Sequence, residues 1–243
     1  MTLQKFFKQH PTVALAFSGG VDSAYLLWAA RDARADIQPY FLKTPFQPAF
    51  ELEDARRLAP NLIVLEADGL QDPTVAANPP DRCYHCKKFL FGLLKQRSTA
   101  DGYPVLLDGT NASDQWDDRP GMRALEEYGV LSPLRLCGLT KDEIRARSRD
   151  AGLFTWSKPA YACLATRIPT GTPIDHETLR RVEGAESALF GLGYTDFRVR
   201  VFHGAARIQL PRDQFPANPG QYQALYRACL PYFETVLLDL KSR

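Results

Sequence analysis

The chain has 243 residues, 45% hydrophobic and 24% charged, with a formal net charge of +2. That length holds one large domain or a medium domain with a small one, and the composition is that of an ordinary soluble globular protein. No apolar run reaches bilayer-spanning length, the first ten residues lack the apolar core of a secretory signal, and the near-balanced charge gives no footprint for nucleic acid.

The expected setting is therefore the cytoplasm, away from membranes. There the five cysteines read as buried thiols, metal ligands or reactive groups rather than structural disulfides.

Lys5 to His10 reads as a short lead-in helix. Val13 to Phe17 is an apolar strand that runs into Ser18-Gly19-Gly20-Val21-Asp22-Ser23, and Ala24 to Ala30 continues as a helix. A Gly-rich turn between strand and helix aims backbone N–H groups outward with the positive end of the helix dipole behind them. Its glycines let a bulky anion come close to the backbone. Ser18 and Ser23 add hydroxyl donors, so the expected guest is a phosphate or pyrophosphate. The spacing is neither G-x-x-x-x-G-K-[ST] nor G-x-G-x-x-G.

Further along, Ile37 to Leu42, Leu62 to Leu65, Val105 to Leu107 and the short Val130 to Leu131 read as strands. Ala49 to Leu58, Tyr84 to Arg97 and Gly121 to Tyr128 read as helices between them. Thr140 to Ala151 is a helix with a capping box, Thr140 with Glu143, and Gly152 at its end. Strands alternating with helices predict an α/β fold, a parallel sheet covered on both faces with ligands beyond the C-terminal ends of its strands.

Phe154 to Pro173 is rich in Pro and Gly, has no period, and reads as a long loop of the kind that carries function. Glu177 to Leu192 is an amphipathic helix closed by Gly193. Phe197 to Phe202 alternates as a strand and pairs with Ala206 to Leu210 through the turn at His203 to Ala205. Tyr222 to Cys229 is a helix and Thr235 to Leu238 a last strand, giving a small α+β domain. The expected division is 1–155, an active-site loop at 156–173, and 174–243.

Two further stretches bear chemistry. Arg82-Cys83-Tyr84-His85-Cys86-Lys87 places a C-x-x-C at a helix start, which can hold two corners of a metal site or act as a redox pair. In Lys158-Pro159-Ala160-Tyr161-Ala162-Cys163-Leu164-Ala165-Thr166-Arg167 a cysteine lies between two cations, a setting that favours the thiolate that attacks carbon or binds metal. Cys137 and Cys229 sit among apolar residues and read as inert core thiols. Arg198 and Arg200, at i and i+2 of a strand, share a face suited to bidentate phosphate binding.

Ser18 to Ser23 resembles the PP-loop of the ATP pyrophosphatases, of adenine nucleotide alpha hydrolase-like fold. Taken with Arg82 to Lys87, Asp108 to Asn111, Lys158 to Ala160, Cys163 to Ala165, Arg198 to Arg200 and Ala206 to Ile208, the chain resembles the LarE-type ATP-dependent sulfur transferases. These build the thiocarboxylates of the nickel-pincer nucleotide cofactor of lactate racemase. The resemblance implies that Ser18, Gly19, Gly20 and Ser23 hold the ATP phosphates, that Asp22 lies near Mg2+, and that Asp108, Thr110 and Asn111 face the nucleotide. It implies that Lys158 stabilises phosphate charge, that Arg198 and Arg200 grip the phosphate of a small-molecule nucleotide carboxylate, and that Glu186 lies near the reacting centre. Cys163 matches the sulfur-site cysteine. With Cys83 and Cys86 it matches members that hold a [4Fe–4S] cluster carrying the transferred sulfide; in single-cysteine members that residue gives up its own sulfur. A sulfide or sulfur donor and a homo-oligomeric assembly are further implications. Gln209 stands where an acid is more usual, and Thr166 where Ser is common.

A cluster-bearing tRNA thiolase of the same superfamily would need a basic RNA surface, which the charge balance does not supply. A nucleotide sensor without chemistry leaves Cys83, Cys86 and Cys163 without a use.

Overall fold

The computed structural model describes residues 1–114 and 120–243. In chain order the elements are α1 (Leu3–Gln9), β1 (Thr12–Ala16), α2 (Val21–Asp32), β2 (Asp36–Lys43), α3 (Ala49–Leu58), β3 (Ile63–Glu66), α4 (Pro73–Ala76) and α5 (Arg82–Ala100). They continue with β4 (Leu106–Leu107), α6 (Pro120–Glu127), α7 (Pro133–Leu136), α8 (Lys141–Asp150), α9 (His176–Gly191), β5 (Arg198–Phe202), β6 (Ala205–Gln209), α10 (Pro219–Cys229) and β7 (Val236–Leu238). Two compact units result. The first is Met1–Thr44, Ala49–Val75 and Pro80–Lys158; the second is Pro159–Arg243 with the short pieces Pro45–Pro48 and Ala76–Pro79.

The first unit is an α/β fold around a parallel sheet of order β3-β2-β1-β4. Side chains alternate across β1, as they must in a strand. Val13 and Leu15 join a core with α1, α2 and Ile144 of α8, while Ala14 faces Tyr40, Leu94 of α5 and Leu106 on the other side. The sheet is thus covered on both faces. This arrangement puts the Gly-rich turn at the C-terminal end of β1, the edge where parallel α/β sheets bind ligands.

The second unit is built on the antiparallel β5–β6 pair, with β7 parallel to β6 in the order β5-β6-β7. Its helix α9 is capped by Asp175, which accepts from Thr178 N at 2.6 Å. The buried stripe of α9 is Leu179, Val182, Ala185, Glu186 and Leu189, so one carboxylate sits at a core position. α10 starts with Asn218 as N-cap and Pro219 in its first turn, a standard start signal.

Most of the expected elements form within a residue or two, including α3 and the capping box of α8. Two differ. Val130 to Leu131 makes an isolated parallel bridge from Leu131 to Leu107 and not a strand, because Pro133 starts α7 two residues later and cannot donate to a ladder. The loop at 154–173 contains two 3₁₀ turns, Phe154–Ser157 and Leu164–Arg167. α5 begins at Arg82, so Cys83 and Cys86 lie at its start, where the C-x-x-C was expected. Among the described residues, no helix is long and apolar enough to cross a membrane.

Candidate active site

The phosphate-loop residues come together in the first unit. Gly19 has φ of +71°, and a Cβ there would lie 3.0 Å from Ala55 N of α3, so the turn and the close packing both require glycine. Gly20 is the N-cap of α2 and brings no side chain to its first-turn N–H groups, whose donors therefore stay open to a ligand. Ser18 and Ser23 join by their hydroxyls at 3.1 Å, and Ser23 Oγ donates to Gly20 O at 3.3 Å, which holds the turn shut on itself.

Beyond β4, Gly109 approaches so closely that a Cβ would lie 3.1 Å from Ser23 N. This brings the flanking polar residues to the turn. Asp108 is buried and accepts from Ser132 Oγ at 2.6 Å, from Thr110 N at 3.3 Å and from the Thr110 hydroxyl. Asn111 donates to Asp22 Oδ1 at 3.4 Å, and Lys141 Nζ donates to Asp22 Oδ2 at 2.5 Å. Lys141 was not among the residues singled out from the sequence. Its one signal was position: a lysine in the first turn of a helix opposes the dipole, so another interaction must favour it there.

Lys158 lies in the same unit and pairs with α3, the helix against which Gly19 packs. Its Nζ sits 2.6 Å from Asp54 and 5.3 Å from the Phe50 ring centroid. The C-x-x-C turn is braced by the residue between its cysteines: Tyr84 donates to Glu127 at 2.8 Å, and the Arg123 guanidinium stacks 3.7 Å from the Tyr84 ring centroid. Cys83 is exposed and Cys86 half-buried, with Arg82 Nη2 3.7 Å from Cys83 Sγ. Two thiols at i and i+3 with a guanidinium alongside fit two corners of a thiolate-bound metal group. Cys163 belongs to the other unit, and among the described residues no group of three or more His, Cys, Asp or Glu is placed to hold a metal ion.

In the second unit Cys163 is half-buried on a segment dense with arginine. Arg167 and Glu186 are 0% and 1% exposed and form a bidentate pair, Nε to Oε1 at 2.7 Å and Nη2 to Oε2 at 3.1 Å. Tyr161 donates its hydroxyl to Glu186 Oε2, and Val199 N donates to Oε1 at 2.8 Å. Burial and the adjoining carboxylate push the Tyr161 hydroxyl well above the ordinary tyrosine range. Arg198 donates to Ala160 O at 2.7 Å and Arg200 to Thr166 O at 2.6 Å, while Arg200 Nε also meets Gln209 Oε1 at 2.6 Å. Burial first, then the Arg167 and Arg243 charges, pull the Arg198 guanidinium down to about 10; burial and Arg167 lower Arg200 as well. Arg198 also lies 3.9 Å from Asp196, which Arg243 engages as well. The guanidiniums of Arg167, Arg198, Arg200 and Arg243 thus face the carboxylates of Glu186 and Asp196, an excess of positive charge that favours an anionic guest.

The cations expected beside Cys163 are thus both committed to carboxylates, Lys158 to Asp54 and Arg167 to Glu186. Cys229 is fully buried and Cys137 packs against the first unit's core; burial raises both thiols, Cys229 to about 12. Glu186→Ala would strand Arg167 as an uncompensated buried charge. We expect a loss of about 3–5 kcal/mol of stability, read as an earlier urea midpoint; an unchanged midpoint would contradict this account of the pair.

A four-stranded parallel sheet whose first strand ends in Ser-Gly-Gly-Val-Asp-Ser at a helix N-terminus defines the PP-loop class of α/β proteins. No family model matches the chain. It is 34% identical over 218 residues to the pyridinium-3,5-bisthiocarboxylic acid mononucleotide synthase of Lactiplantibacillus plantarum, covering 86% of this chain and 78% of that protein. The chain belongs to the LarE-type sulfur transferase family and is an enzyme. Uncharacterized proteins of Synechocystis sp. (38% over 219 residues, 87% of this chain and 81% of theirs) and Methanocaldococcus jannaschii (31% over 215 residues, 87% and 82%) are similar over the same extent.

Proposed function

We propose that this chain is an ATP-dependent sulfur transferase acting on pyridinium-3,5-biscarboxylic acid mononucleotide in nickel-pincer nucleotide biosynthesis. The observation that carries the reading is the phosphate loop itself, Ser18 to Ser23, with Asp22 tied to Lys141 and Asn111. The identity with the L. plantarum synthase, named for the pyridinium-3,5-bisthiocarboxylic acid mononucleotide, supports the choice of the corresponding biscarboxylate as substrate.

In this reading a substrate carboxylate oxygen attacks the α-phosphorus of ATP, the bond to the β-phosphate bridge breaks, and pyrophosphate leaves. Sulfide then attacks the acyl carbon and AMP departs, carrying the carboxylate oxygen. Activation is needed because carboxylate oxygen is a poor leaving group and AMP a good one. Ser18, Gly19, Gly20 and Ser23 hold the phosphates through backbone N–H groups and hydroxyls. Asp22 holds Mg2+, and Asp108, Thr110 and Asn111 shape the nucleotide side. Lys141 and Lys158 offset charge as it shifts onto the leaving pyrophosphate. A [4Fe–4S] cluster on Cys83, Cys86 and Cys163 would supply the sulfide.

The test is the protein, purified anaerobically, with ATP, Mg2+ and the biscarboxylate. Pyrophosphate release that depends on the biscarboxylate, with sulfur incorporated by mass spectrometry, supports the reading. Release stimulated by bulk tRNA instead of the biscarboxylate would replace it with a tRNA thiolase.

Arg198 and Arg200 are the phosphate-gripping residues of this reading. Arg198→Ala and Arg200→Ala should each weaken binding of the mononucleotide by about 1.5–3 kcal/mol, with ATP affinity unchanged. Titration calorimetry with each ligand separately decides this, and an equal loss for both ligands would make the residues structural only.

A further inference from the structure

We infer that Glu186 acts through Arg167 and Tyr161 to fix the segment 160–167, so that Cys163 is presented in one position, and that it does no proton transfer or metal binding of its own. The inference rests on the sulfur-transfer reading above and names three positioning residues for it.

The first argument is saturation. A carboxylate offers about four acceptor sites. Oε1 of Glu186 receives Arg167 Nε at 2.7 Å and Val199 N at 2.8 Å; Oε2 receives Arg167 Nη2 at 3.1 Å and the Tyr161 hydroxyl. Nothing is left over for a proton or a metal, and the side chain is 1% exposed. Glu186 also sits on the apolar stripe of α9, where an ion must be both paired and hydrogen-bonded to be tolerated. A general base at this place would have to break its own support to act.

The second argument is what the partners hold. Arg167 does not end at the carboxylate: its Nη1 donates to Ala162 O at 3.0 Å and to Thr166 Oγ1 at 2.9 Å. Thr166 Oγ1 in turn donates to Cys163 O at 2.8 Å, and Thr166 N reaches the same carbonyl at 3.0 Å. Leu164 N donates to Phe46 O at 2.9 Å. Arg198 takes the carbonyl of Ala160 and Arg200 that of Thr166. The backbone on both sides of Cys163 is therefore tied down, with Glu186 as the counter-charge at the centre. The same two arginines that would grip the substrate phosphate also hold the cysteine's segment, so phosphate and thiol are registered on one scaffold.

The planar fork of arginine makes these bonds together, and a lysine cannot. Arg167→Lys and Glu186→Gln should therefore uncouple the reaction. Thiocarboxylate formation should fall about 100-fold, the scale of a misplaced reacting group. Pyrophosphate release at saturating mononucleotide and the KM for ATP should hold near wild type, since the phosphate loop belongs to the other unit. Tyr161→Phe, which keeps the ring and the ion pair, is the mild variant; it should fold even if the others do not and show a smaller loss of the same kind. Hydrogen exchange of the 160–167 amides in the full chain should accelerate in each.

Loss of thiocarboxylate formation in Glu186→Gln with unchanged exchange across 160–167 would show that Glu186 acts on the reactants, and would overturn the inference. So would full activity in Tyr161→Phe and Arg167→Lys, or an equal loss of both half-reactions. If the wild type releases no pyrophosphate with the biscarboxylate, the functional reading fails by itself, and the exchange comparison still decides whether Glu186 orders the segment.

Discussion

Asp22→Ala should reduce pyrophosphate release by about 10²–10³-fold, the scale of losing one preorganised electrostatic group at a developing charge. The carboxylate sits in the first turn of α2, facing Lys141 Nζ at 2.5 Å and Asn111 at 3.4 Å. In the proposed reaction it is the ligand for Mg2+, and its removal also releases the Lys141 ammonium from its place. The structural cost is small because the pair is part-exposed, with side chains 30% and 23% accessible, and such pairs contribute about 0–1 kcal/mol. Ser23→Ala should act in the same direction by removing the hydroxyl that links Gly20 O to Ser18. The measurement is rapid-quench pyrophosphate release beside a urea melt of each variant. Normal release from Asp22→Ala would remove the phosphate-loop assignment, whatever the melt shows.

Cys163→Ala should abolish thiocarboxylate formation outright while pyrophosphate release continues. In the proposed reaction the thiol serves the second half-reaction, and the phosphate loop is built wholly from the first unit. Under the cluster reading, Cys83→Ala and Cys86→Ala give the same result, since three thiolates leave one iron of a cubane open for sulfide. Anaerobic reconstitution with iron and sulfide should give a broad absorbance shoulder in the wild type. Cys137→Ala and Cys229→Ala should keep it, because these thiols are packed among apolar side chains and raised by burial. The three site variants should lack it. Full activity in Cys83→Ala and Cys86→Ala, with dehydroalanine left at residue 163 of the wild type after turnover, would instead make Cys163 the sacrificial donor.

The parts of this protein legible in its sequence are those whose physics is local. A strand, two glycines and a helix start specify a Gly-rich strand–turn–helix within a dozen residues, and the structure forms that turn with Gly19 at φ +71°. The capping box at Thr140, the stripe of α9 and the arginines on alternate positions of β5 are likewise short-range patterns. The short fifth strand failed for a local reason that was present in the sequence, Pro133.

What the tertiary structure decided is which charge meets which. Lys141 reaches Asp22 across 119 positions of chain, a pairing set by how α8 packs against α2 and by no spacing rule. Lys158 reads as a neighbour of Cys163 five residues away, yet its ammonium turns to Asp54. Glu186 looks reactive in isolation, but in the fold Arg167, Tyr161 and Val199 fill its oxygens. A buried ion is tolerated only where partners converge on it from several elements, and such convergence is a property of the packed chain. Hence the sequence by itself determined the candidate segments, the Gly-rich turn and the cysteine stretches, and the packing determined which side chains pair and which hold the others in place.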